Sequence, residues 1–78
     1  PDFGPLGDPQ RRASCLAGLG YPADARVLSA RQVEITGRPA ILLLLPGDTP
    51  GTVTALAVAP TCSSADTALL ADRIVKRP

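Results

Sequence analysis

Apolar positions along the chain change period more than once. Cys15, Leu16 and Leu19 recur at spacings of three and four while Gln10, Arg11 and Ser14 fall elsewhere, which predicts an amphipathic helix over residues 9–19. Its ends are punctuated. Asp8 can accept from the free amides of the first turn, and Pro9 suits the first helical position, where a missing N–H costs nothing. Gly20 fits a left-handed C-cap, Tyr21 can then cover Leu16, and Pro22 forbids resumption. Ahead of the helix, residues 1–7 carry prolines and glycines without periodicity and read as a lead-in or linker, with Phe3 and Leu6 available to tuck onto the domain.

Beyond the helix the period shortens to two. Residues 26–29 suggest a short first strand. In residues 31–36, Val33 and Ile35 share one face and Gln32 and Glu34 the other, the pattern of a half-buried strand. Gly37-Arg38 is expected to form a type II′ turn, with Pro39 opening the returning strand. Counted across that turn, Ala40 lies opposite Ile35 and Leu42 opposite Val33, which assigns both to the helix-covered face. Ile41, Leu43 and Leu45 then point away from the helix, so residues 40–45 are apolar on both faces. Such a strand is normally central and covered twice. Residues 52–59 alternate again, with Thr54, Leu56 and Val58 on one face, before Pro60 and a polar loop holding Cys62. Residues 69–75 fit either a helix capped by Asp66 or a final strand; a strand completes the sheet. The expectation is an α+β domain over residues 8–78, one N-terminal helix on a four- to five-stranded antiparallel sheet.

Composition narrows the chemistry. The chain has 78 residues, Lys plus Arg 8 against Asp plus Glu 7, no His and no Met. A net charge of +1 gives no clustered basic footprint for nucleic acid. Without histidine there is no base for Ser14, Ser29, Ser63 or Ser64, and the carboxylates are scattered through loops, caps and a strand face. No phosphate-cradling glycine run occurs. An enzyme, a bound cofactor and a metal site are therefore not expected. The longest apolar run, residues 40–45, is far short of the ~20 residues that cross a bilayer.

Phe3 and Tyr21 are the only aromatic side chains, so the core must come from aliphatic residues. At this length a domain buries only about 60% of its unfolded surface and usually needs a staple. Cys15 and Cys62 are either buried free thiols or a disulfide; bonded, they would close a loop of about 48 residues, worth about 4 kcal/mol in the chain-entropy picture.

A longer pattern runs through these elements. It comprises Cys15-Leu16-Ala17-Gly18-Leu19-Gly20, Val27-Leu28, Arg31-Gln32-Val33, Gly37-x-Pro39 with residues 40–46, Val58-Ala59-Pro60-Thr61-Cys62, and Leu70-Ala71-Asp72. This order, across residues 12–76, resembles the extracytoplasmic C-terminal domain of actinobacterial membrane-anchored anti-sigma factors of the anti-sigma-M type. The resemblance supports Cys15 and Cys62 as a disulfide. It implies a longer single-pass membrane protein whose cytoplasmic domain, outside this sequence, holds an extracytoplasmic-function sigma factor. This domain would sit on the extracytoplasmic side as a regulatory or sensory part, open to a protease or another regulator. The competing reading is a secreted or lipoprotein-borne binding module for a partner protein or cell-wall ligand; a small hydrolase or redox enzyme would need a base or reactive thiol. Ile41, Leu43, Leu45, Leu56 and Val58 are the expected contact surface, for a homodimer or a regulator, unless the lead-in or the C-terminal segment covers them.

Overall fold

A computed structural model describes residues 2–76. The chain begins with a single 3-10 turn, Gly4–Gly7, followed by helix α1 (Pro9–Gly18) and strands β1 (Ser29–Ile35), β2 (Arg38–Pro46), β3 (Thr52–Val58) and β4 (Leu69–Lys76). The strands form one antiparallel meander in the order β1-β2-β3-β4. The α+β architecture expected from the pattern is the one observed, and residues 69–76 are a strand rather than a helix.

Local chemistry explains where α1 begins and ends. The Asp8 carboxylate accepts from the Gln10 amide at 3.0 Å, and Pro9 occupies the first turn. At the other end the Tyr21 amide donates to the Leu16 carbonyl at 2.9 Å and the Gly20 amide to Ala17 at 3.1 Å. That pair of bonds is a Schellman cap, and Tyr21 packs on the cluster that contains Leu16. The lead-in joins the folded body. Leu6 is fully buried, the Asp2 amide donates to the Ala30 carbonyl at 2.8 Å, and Arg12 lies 4.5 Å from the Phe3 ring centre.

Three expectations are corrected. Residues 26–28 precede the ladder, which starts at Ser29, although the Leu28 amide still donates to Leu44 at 2.7 Å. The hairpin turns at Thr36-Gly37, one residue earlier than Gly37-Arg38, and both central residues have positive φ, 49° and 81°. That is the type I′ signature, whose twist matches the flanking strands, with glycine second as in Asn-Gly turns. Val33 therefore faces Ala40 and Ile35 faces Arg38, a slip of two residues that leaves every side chain on its own face.

The third correction concerns which face the helix covers. Ile41, Leu43, Leu45, Leu56 and Val58 lie in one cluster with Leu6, Cys15, Leu16, Ala30 and Cys62 and are between 0% and 6% exposed. They are the core beneath α1 and the lead-in, not a free surface. The volume contrast lies in β3, which turns Leu56 and Val58 toward the helix and Ala55 and Ala57 away, while β2 offers leucines to both faces. Val33 and Ile35 mislead because β1 is an edge strand. Of its helix-side residues Ala30 is buried, but Gln32 lies at the rim and bonds the Asp2 carboxylate at 3.1 Å.

Candidate functional site: the disulfide anchor and the β4 edge

The two cysteines sit on elements far apart in sequence. Cys15 lies on the buried face of α1 and Cys62 in the loop after β3, and they are bonded to each other with their Cα atoms 5.1 Å apart. Neither is free. Ser14 adds a second tie beside them: its hydroxyl accepts from the Ser64 amide at 2.9 Å and lies 3.3 Å from the Ser64 hydroxyl. Helix and loop approach so closely that a Cβ on Gly18 would stand 2.8 Å from the Ser63 carbonyl oxygen. A shallow polar depression of about 230 Å³ lies over this junction, lined by Asp8, Gln10, Arg11, Ser14, Thr61 and Ser63. It joins one arginine to hydroxyl and carboxylate groups without a nucleophile–base pair.

The expected contact residues do not assemble a site. Ile41, Leu43, Leu45 and Val58 come together as the interior, at most 1% exposed, so they cannot meet a second chain while the domain is folded, whereas Leu56, 6% exposed, shares that cluster and reaches an open groove. Sequence reasoning missed a different region. On the helix side, between the end of α1 and the outermost strand, runs an open groove of about 490 Å³ whose walls include Leu19, Tyr21, Leu56, Leu69 and Ile74, with Asp48 and Asp72 at its polar margin. Ile74 is 72% exposed, Val75 45% and Leu69 42%; among the described residues these are the exposed large hydrophobics, and all belong to β4. The available signal was the alternation of residues 69–75 itself, once read as a terminal strand with a free edge.

The opposite face of the sheet carries Val33, Ile35, Leu42, Leu44, Val53 and Ala55, half-buried without a covering layer. Arg31, Arg38 and Arg73 share it, since their paired partners Leu42, Ile35 and Ala55 do. Among the described residues no group of three or more Cys, Asp or Glu side chains could hold a metal ion. No helix of the described residues is long and apolar enough to cross a membrane.

Comparison with known proteins identifies what this arrangement is similar to. Residues 1–75 match the family described as the C-terminal extracellular domain of anti-sigma factor RsmA. The anti-sigma-M factor RsmA of Mycobacterium tuberculosis, in three strains, is 58% identical over 77 residues, covering 99% of this chain and 30% of the relative. The chain thus spans under a third of the length of the curated relatives it matches. No solved structure matches it.

Proposed function

The chain belongs to the family of C-terminal extracellular domains of anti-sigma factor RsmA, and on that premise we propose that it is the outward-facing regulatory part of a transmembrane anti-sigma factor. In this reading the remainder of the parent protein crosses the membrane once and holds an extracytoplasmic-function sigma factor on the cytoplasmic side. The observation that carries the proposal is the 58% identity over nearly the whole chain to a named anti-sigma factor. The Cys15–Cys62 bond supports it, because structural disulfides persist in oxidising compartments such as the cell exterior. The absence of histidine supports a non-enzymatic role, in which the domain acts by what it binds or shields.

The test compares the full-length protein with a version lacking this domain, in cells carrying a sigma-dependent reporter. Removal is expected to change reporter output, or the rate at which the parent is cleaved, while the cytoplasmic part still binds its sigma factor. Unchanged output and cleavage under all stresses tried would sink the regulatory reading. The binding-module alternative predicts instead that neither output nor cleavage responds to removal; its secreted form leaves the membrane fraction of the same cells, and its lipoprotein-borne form stays there.

A further inference from the structure

The two edges of the sheet are finished differently. On the β1 side the Asp2 amide is bonded to the Ala30 carbonyl and the Asp2 carboxylate holds Gln32, so the lead-in occupies part of that edge and discourages strand pairing. On the β4 side nothing among the described residues pairs with the outer edge, and the strand exposes Leu69, Ile74 and Val75. An unpaired edge with apolar side chains is a template for another strand.

Charge on β4 says which strand fits. Asp72, Ile74 and Lys76 share the helix side, since they face Leu56, Thr54 and Thr52 of β3. In an antiparallel pair directly opposed residues share a face, so a two-fold dimer must place one residue of β4 opposite its own copy. Centring on Asp72 or Arg73 opposes like charges on the axis. Centring on Ala71 or Val75 leaves Asp72 without an opposed cation. Centring on Ile74 puts each Asp72 opposite Lys76 of the second copy, joins the two exposed Ile74 side chains, and sets Arg73 against Val75.

We propose that two copies of this domain associate antiparallel through β4, with Ile74 on the two-fold axis and reciprocal Asp72–Lys76 pairs flanking it, making one eight-stranded sheet. The grooves lined by Leu19, Tyr21 and Ile74 then meet across the axis. This inference goes beyond the regulatory reading and stands whether or not a sigma factor is the partner.

Sedimentation of the 78-residue chain from micromolar to millimolar concentration reads it. A reversible monomer–dimer equilibrium is expected. Ile74→Lys should abolish it with the monomer's melting unchanged, because that side chain is exposed. Asp72→Lys should weaken the dimer about tenfold, and Asp72→Lys with Lys76→Asp should return it to within about threefold of wild type. Under mild oxidation Ile74→Cys should cross-link to its own copy, whereas Arg73→Cys, set against Val75, should not. A wild-type chain monomeric at millimolar concentration, a dimer indifferent to Ile74→Lys, or equal cross-linking at 73 and 74 would each overturn the proposal.

Discussion

Thr36 is held at φ 49°, a left-handed conformation that a β-branched side chain resists. Its hydroxyl donates to the Ile35 carbonyl at 2.7 Å, but the backbone strain stays in the hairpin. Asparagine tolerates that region and completes an Asn-Gly turn, so Thr36→Asn should stabilise the domain by about 0.5–1 kcal/mol. Urea unfolding of the variant checks this, and a loss of stability would refute the type I′ assignment. Gly18 is the reverse case. Alanine there gains about 1 kcal/mol of helix propensity, yet its Cβ would meet the Ser63 carbonyl oxygen at 2.8 Å and the Ser64 Cα at 3.0 Å. That loop is bonded to Ser14 and tethered at Cys62, so it cannot yield freely. Overpacking should win, and Gly18→Ala should cost about 1–2 kcal/mol by the same measurement.

Helix α1 is short enough to be marginal by itself, and its caps cannot make it stable alone. The disulfide joins it to the loop after β3, and Cys15 and Leu16 press into the cluster around Leu43 and Val58. Removing the bond, by reduction or by Cys15→Ala with Cys62→Ala, should cost about 4 kcal/mol. For a domain this size that lowers the melting temperature by roughly 15–30 °C, readable by circular dichroism. An unchanged transition would show that packing alone holds α1 in place. At β4 the strand pairs Ala57 with Ala71 but Val58 with Leu69, leaving Leu70 as an extra residue. The irregularity sits at the start of the strand, so residues 71–76 keep a regular outer edge.

The whole molecule is a two-layer fold with one covered face. Leu43 is 1% exposed beneath the helix, whereas Leu44, its neighbour on the same strand, faces the uncovered side. Leu43→Asp should therefore unfold the domain at neutral pH, because a buried carboxylate has no partner there. Leu44→Asp should cost only about 1–2 kcal/mol and leave a cooperative melt. Equal effects would contradict the assignment of faces. The sequence pattern leaves open whether Leu43 meets a partner chain or is covered by the lead-in or the C-terminal segment; the tertiary structure covers it with α1 and the lead-in, and the exposed large hydrophobics among the described residues lie on β4.

What the residues decided alone is local or modular. Asp8-Pro9 and Gly20-Tyr21-Pro22 set the helix ends through hydrogen bonds within a few residues. The two-residue period of residues 31–36 and 52–58 set the strands, and the spaced pattern around Cys15 and Cys62 carried the family resemblance. The turn was legible to within one residue, because glycine suits either of two adjacent positive-φ positions and only the ladder's register chooses between them. Which face of β2 is interior was not legible from β1, since an edge strand's polar residue can rest at the rim of the core. That was decided by where α1 lands once the Cys15–Cys62 bond and the buried Leu6 draw it over the larger side chains. The open edge likewise exists only in the assembled sheet, because a strand's edge is free or paired according to its neighbours and not its own sequence.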